Sequence, residues 1–466
     1  MEWLQKIYIL VLGPVCNVTE RIDEKRRTSI AAVMMFLLYA FLLVWYSVNM
    51  FDIYVSLTSR MVLAVFLLAI FIIFIGNKNL HIVKWNNWVA ISWFACGILI
   101  FLMGFVAKQN FGYWLIGPVM AFGFPCLYFV IGNSRDINKC FLLVCKAVIV
   151  ASLIYFIAAI FAETVSDNVW VDFSGRYNGT TSDANRIGEI CVASFACSIY
   201  IYRSAYSNLF WKILSFTTMA FCICDSIISI SRSTIIAISC MVIYFVFLEI
   251  KSAVENKKIK QLLINMACIA LCIIIGVVFT TGMRAIHKHM EVEKAVQNVT
   301  ETSQIETEKA VAEETVNSVV QIAKDSNRMD VNRRDLNTFS AGRINIWKEY
   351  LSNTGILGNP ADGKTPISGN LTNVAAHNTI IEISYRSGIV TGLLFLFVEI
   401  LAGIYILRIL LRKNNEDYDY FAAFAFIGYI IVSNLQVAYN PLTSIIFFVY
   451  AISISILVLD KKRVRK

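Results

Sequence analysis

Arg232 stands in a short stretch, Ser231-Arg232-Ser233, between two long apolar runs with almost no loop to shelter it. A charge at the bilayer centre costs roughly 2.5–3.5 kcal/mol on insertion scales and less near the interface, so this guanidinium needs an anionic partner or a path to water. An anionic ligand, headgroups reached by snorkelling, and Asp225, about two helical turns earlier, are the competing partners. Three further segments carry residues of similar promise. Gly175-Arg176-Tyr177-Asn178-Gly179 runs through Thr180, Thr181, Ser182, Asp183 and Ala184 to Asn185 and Arg186, a turn-rich lead into an apolar helix. Gly342-Arg343-Ile344-Asn345-Ile346-Trp347 and Ala376-His377-Asn378-Thr379 come later. Arg176 and Arg343 each follow glycine, which allows close backbone approach by a bulky anion. Arginine suits diphosphate because its planar fork donates two parallel hydrogen bonds and keeps its charge at any relevant pH. His377 has the chemistry of a general base, with an ordinary pKa of about 6.5 near neutrality, and a helix-cap or core role competes with that reading.

Other reactive residue types carry less. His287 and His289 form an HxH pair, but two ligands without a matching carboxylate or cysteine pattern make a poor metal site, and no metal is expected. Most of the 12 cysteines, among them Cys96, Cys126, Cys191, Cys197, Cys222, Cys224, Cys240, Cys268 and Cys272, fall inside apolar runs and read as small packing residues. No CxxC pair exists, so neither a disulfide framework nor a zinc site is expected. No P-loop or dinucleotide fingerprint appears either.

The elements that must position these residues are membrane helices. Of 466 residues, 58% are apolar and 16% charged, with mean hydropathy +0.65, a balance that soluble domains rarely show. A bilayer core takes about 20 consecutive apolar residues per helix. Runs bounded by charges place spans near 29–49, 61–77, 87–107, 113–132, 140–162, 187–202, 209–229, 233–249, 262–282, 388–411, 420–438 and 442–460, about twelve in all. Residues 1–18, which lack a cleavage pattern, read as an interfacial helix or tucked-in arm.

Lysine and arginine collect in alternate connections: Arg21, Lys25, Arg26 and Arg27; Lys78 and Lys84; Arg135 and Lys139; Arg203; Lys251 to Lys260; Arg408, Arg412 and Lys413; and the tail from Lys461. These are expected in the cytoplasm together with both termini, which accounts for the net charge of +9 through anionic lipid without nucleic acid. All four arginine or histidine segments then fall on the outer face, in a topology drawn without reference to them. The chain divides into a membrane domain over 1–282, an extracytoplasmic loop over 283–387, and C-terminal helices with a basic tail over 388–466. A loop of that length is normally functional or a domain in itself. Its acidic stretch 291–326 repeats helical spacing at Val292, Val296 and Val299 and again at Ala312, Val316 and Val319, which predicts one or two amphipathic helices acting as a lid or spacer.

Taken together, GRYNGTTSDANRIG, SRST, GRINIWKEYLSNTGILGNP and AAHNTIIEISYRSGIVTGLLFLF resemble the bacterial O-antigen polymerase and O-antigen ligase superfamily over roughly residues 170–440. The resemblance implies an all-α polytopic fold of the GT-C-like class in the cytoplasmic membrane. It also implies a glycosyltransferase that needs no cofactor and takes an undecaprenyl-diphosphate-linked glycan as donor and another as acceptor, alongside chain-length regulator and flippase proteins. On that resemblance Arg176 and Arg232 bind diphosphate, Arg343 supports it or orients the loop, and His377 deprotonates the acceptor, with Asn378, Asn185, Arg186 and Trp347 in supporting places. The product is a longer surface polysaccharide, such as O-antigen, capsule or exopolysaccharide. Ligase-type transfer to a different acceptor shares this chemistry, and a flippase or transporter also fits about twelve helices. Transporters, however, usually show two related halves and broken helices at the midplane.

Overall fold

The computed structural model describes residues 1–46, 57–106, 111–162, 177–181, 183–257, 259–302, 343–359, 375–413 and 415–459. Among them the only pairing outside helices is an isolated bridge between Trp85 and Leu459. A helix stands at each of the twelve expected spans. They are α2 (Glu24–Tyr46), α3 (Leu57–Ile75), α4 (Asn87–Val106), α5 with α6 (Phe111–Pro118 and Phe124–Gly132, joined by a widened π turn at Val119–Gly123) and α7 (Ile137–Ala162). Next come α8 (Ala184–Arg203), α9 (Leu209–Ile228), α10 (Arg232–Asn256) and α11 (Ile259–Thr302). After α12 (Arg343–Ser352) and α13 (Thr379–Ser387), the chain closes with α14 (Ile389–Leu411), α15 (Asp417–Ser433) and α16 (Ile445–Val458).

Eight of these helices are long and apolar enough to cross a bilayer. The protein is a polytopic membrane protein. The remaining four fall short for physical reasons. Helix α8 carries Arg186, Glu189 and Arg203, α15 and α16 are short, and the apolar run of α3 covers Ser59–Ile75. Helix α16 is nonetheless buried along its whole length, and α8 nearly so. These two form the centre of the bundle, where protein covers a helix on every side, and α16 accordingly carries no charged residue. The outer helices leave Phe66, Phe105, Phe247, Leu263, Ile274 and Leu407 exposed, the surface that lipid covers in a bundle of this kind.

The lysine- and arginine-rich connections gather at one end. Lys78 lies 3.6 Å and Arg135 4.0 Å from Glu20, and Arg203 pairs with Glu249, which also accepts from Asn265 at 2.6 Å. Helix α1 (Glu2–Thr19) packs Leu4, Tyr8, Leu12 and Cys16, a stripe repeating every four residues, against the bundle and leaves Leu10, Val11 and Val18 exposed. Gln5 exchanges two hydrogen bonds with the backbone of Val83, which tucks this arm against the α3–α4 connection.

Two boundaries differ from the sequence reading. Helix α11 does not stop near 282 but continues to Thr302, because the Glu-, Ala- and Val-rich residues after Gly282 keep good helix formers in phase. It therefore runs through His287 and His289, read from sequence as loop, and includes the first of the two expected amphipathic repeats; Ala312, Val316 and Val319 lie outside the described residues. Helix α15 ends at Ser433 and α16 starts at Ile445, so the last connection, expected at about 439–441, spans 434–444. The described cysteines are all free, and nine of them are buried.

Candidate functional site

Opposite the basic end, three stretches of chain converge on a cavity of about 420 Å³, a size typical of small-molecule sites. The first is the lead into α8. Gly179 takes the left-handed conformation, φ 55°, and the Thr181 hydroxyl sits 2.7 Å and 2.8 Å from the carbonyl oxygens of Asn178 and Asp183. This turn delivers Asp183 as the N-cap of α8, where its carboxylate accepts from the Asn185 backbone N–H at 3.0 Å and from the Asn185 amide at 3.2 Å. Asp183, Asn185, Arg186 and Glu189 line the cavity along one face of the first turns of α8.

His377 comes from the second stretch. It sits at φ 51°, a left-handed conformation in which histidine, asparagine and aspartate are over-represented but which still carries strain. Its neighbours hold it on both sides. The Ala376 N–H donates to Glu382 at 2.9 Å, and the Ala376 carbonyl accepts from the Trp347 indole at 2.8 Å. Asn378 caps α13 by accepting from the Ile381 N–H at 3.0 Å, and its amide donates to the Asn434 carbonyl at 3.3 Å. Asn378 is thus a structural cap that fixes the turn of His377. Glu382 also pairs with Arg386, one turn further along α13, and both line the cavity.

Helix α12 backs this turn. Tyr350 packs edge-on against Tyr385 with ring centroids 4.9 Å apart. The loop after α12 closes onto the end of α13, with the Asn359 N–H donating to the Tyr385 carbonyl at 2.9 Å and the Ile389 N–H to the Gly355 carbonyl at 3.1 Å. Gly388, at φ 92°, is required there, since a Cβ would meet the Ile356 carbonyl oxygen at 2.1 Å.

The remaining wall is the connection 434–444. Gln436, Val437, Tyr439, Asn440, Thr443 and Ser444 line the cavity. Ser444 donates to Glu189 at 2.8 Å, and the Thr379 hydroxyl donates to the Gln436 carbonyl at 3.0 Å. The Gln436 amide donates to Ser233 at 2.7 Å and so links the cavity to the turn that carries Arg232. That turn is forced by Ile230, a β-branched residue at φ 50°. Gly188 admits it against α8, because a Cβ would lie 2.1 Å from the Thr234 hydroxyl.

Burial, and secondarily the charge of Arg343, push the His377 pKa down from the ordinary histidine value, while Asp183 and Glu382 oppose that shift. At neutral pH the imidazole is therefore uncharged and able to accept a proton. The cavity sets this base beside Arg186 and the Arg386–Glu382 pair, with the carboxylates of Asp183 and Glu189 on the same wall, so a proton acceptor and a guanidinium share one half-buried space.

His377, Asn185 and Arg186 share the cavity. Arg343 acts on His377 electrostatically, and Trp347 braces it from behind. Arg232 opens α10, half-buried, and is not among the lining residues. Among the described residues no ion pair joins it to Asp225, and the buried Asp225 Oδ2 has no hydrogen-bond partner there. Arg176 lies outside the described residues. Sequence reasoning missed Glu189, Glu382, Arg386 and the whole 434–444 wall. Asn440-Pro441 is a turn signal that could have exposed that wall, and Glu382 with Arg386 has the i,i+4 spacing of a helical ion pair.

No family model matches the chain, and no curated protein matches it. Among the described residues no cluster of three metal-ligating side chains occurs.

Proposed function

We propose that the chain is a membrane glycosyltransferase that extends polyprenyl-diphosphate-linked glycans into a surface polysaccharide at the outer face of the cytoplasmic membrane. The observation that carries this reading is the pairing of a neutral, backbone-strained His377 with Arg186 in one cavity, at the end of the bundle away from the lysine and arginine clusters. By the tendency of lysine and arginine to stay cytoplasmic, that distribution of charge supports an outward-facing cavity.

In this reaction His377 takes the proton of an acceptor hydroxyl, and the freed oxygen forms a bond to the anomeric carbon of the donor. The bond from that carbon to the phosphate oxygen breaks, and the diphosphate leaves with the electron pair. Negative charge grows on the leaving diphosphate, so guanidinium groups already in place stabilise the transition state more than the ground state. We assign this role to Arg186, which lines the cavity, and to Arg176 and Arg232 as the sequence suggests, while burial and Arg343 keep His377 unprotonated. The lipid-linked donor carries the energy, which suits a chain without a nucleotide fingerprint.

The test supplies protein in lipid with a polyprenyl-diphosphate oligosaccharide and follows chain length without added nucleotide. Growth is expected, with a loss of about 10²–10⁴-fold for His377→Ala, the usual worth of a general base. A comparable loss is expected for Arg186→Ala. Wild-type rates in both variants overturn the reading.

A further inference from the structure

A second cavity, about 540 Å³, opens at the other end of the bundle between the start of α4 and the ends of α14 and α16. We infer that it binds the phosphate headgroup of an anionic phospholipid from the leaflet that the basic end faces.

Three kinds of donor converge there. Helix α4 presents its N-terminus. The Asn86 N–H is used by the Val458 carbonyl at 2.6 Å and the ladder begins at Ala90, while among the described residues no side chain caps the N–H groups of Asn87, Trp88 and Val89. A helix start of this kind attracts anions through its free N–H groups and its dipole. Arg408, in the last turn of α14, and Arg412, the residue that follows the helix, line the same cavity, and neither makes an ion pair among the described residues. Trp85 supplies an independent sign. Only 5% exposed, it lines the cavity, and its indole N–H is buried with no hydrogen-bond partner. A buried donor left unmatched costs free energy, and a small turn of the ring toward the cavity would let a phosphate oxygen satisfy it.

The rest of the lining selects the source of that phosphate. Leu401, Ile404, Ile456, Leu457 and Leu459 make an apolar wall suited to acyl chains. Trp88, also in the lining, is 75% exposed. Tryptophan is enriched at the headgroup level of bilayers, and basic pockets between membrane helices hold anionic headgroups. A free phosphate ion would gain nothing from the apolar half. The inference is independent of the glycosyltransferase reading and its test uses no activity.

The experiment titrates full-length protein in detergent with phosphatidylglycerol, phosphatidylcholine or inorganic phosphate and counts bound lipid by native mass spectrometry. Phosphatidylglycerol is expected to bind more tightly than phosphatidylcholine, and inorganic phosphate is expected not to displace it. The double variant R408Q/R412Q is expected to weaken phosphatidylglycerol about 30-fold, from the roughly fivefold that each interfacial cation contributes. W85F is expected to weaken it about threefold to tenfold, the worth of one hydrogen bond. Equal affinity for the two lipids in the unaltered protein overturns the inference, as does phosphatidylglycerol affinity unchanged in the double variant. Displacement by inorganic phosphate assigns the site to a soluble anion instead and equally overturns it.

Discussion

The Trp347 indole donates to the carbonyl of Ala376 at 2.8 Å, immediately before the left-handed His377. The bond fixes the peptide that aims the imidazole, and it links α12 to a turn that α13 alone would hold from one side. Trp347→Phe keeps the ring and removes only the donor. One hydrogen bond is worth about 0.5–1.5 kcal/mol net, so the rate of chain extension should fall about threefold to tenfold with little change in unfolding temperature. A rate equal to wild type would mean that the tether does not position the base.

The conformation of His377 gives a separable signature. Glycine populates φ near 51° without strain, whereas histidine there costs on the order of 1 kcal/mol. His377→Gly should therefore unfold at the same temperature as wild type or slightly higher while losing activity. His377→Ala retains the strain and should lose activity without that gain. Thermal unfolding and activity measured on one preparation of each variant check both halves.

The pH dependence follows from the environment of the imidazole. A base works when unprotonated, so the rate should rise with pH through the His377 pKa and then level. Burial and Arg343 depress that pKa, which puts the rise below the ordinary histidine value of about 6.5. Arg343→Gln removes a positive charge that disfavours imidazolium, so the rise should move to higher pH with the plateau rate little altered. A profile that stays in place, or moves to lower pH, contradicts the role given to His377.

Gly388 offers a test of the framework. An alanine there would set its Cβ 2.1 Å from the Ile356 carbonyl oxygen at a φ of 92°, and both atoms belong to backbone that the Gly355 and Asn359 hydrogen bonds hold in place. Gly388→Ala should cost about 2–4 kcal/mol, the range for a clash joined to an unfavourable φ. The expected readout is a lower unfolding temperature together with lost activity.

The helices were legible because each apolar run between charges is long compared with the uncertainty of its ends, and the bilayer demands little else of a sequence. The site was legible in part. Asp183 through Arg186 and Ala376 through Thr379 announce themselves as polar, turn-forming residues directly before apolar helices. Glu189 did not, since its carboxylate sits a turn inside an apolar helix and its partner Ser444 lies 255 residues away. The 434–444 wall was hidden by Leu435, Val437 and Leu442, which extend the hydropathy of α15 and α16 across a connection that is not helical. Hydropathy measures the cost of leaving water, and an apolar loop folded against protein satisfies it as well as a helix does.

Gln436 is the residue through which that hidden wall can be tested. Its amide donates to Ser233 at 2.7 Å beside Arg232, and its side chain borders the cavity of His377. Gln436→Glu keeps shape and volume, and the Ser233 hydroxyl can donate to the new carboxylate, so the fold should survive. The added negative charge would face a diphosphate. At a separation of about 8 Å and an effective dielectric of about 20, two unit charges interact by roughly 2 kcal/mol, which solvent in the open cavity reduces to on the order of 1 kcal/mol. The KM for the lipid-linked donor should therefore rise about fivefold, with kcat less affected because the carboxylate repels bound donor and transition state alike. Gln436→Leu removes the donor without adding charge and should lower stability instead, leaving KM near wild type. A KM for the Glu variant no higher than that of the Leu variant would place the diphosphate away from this wall.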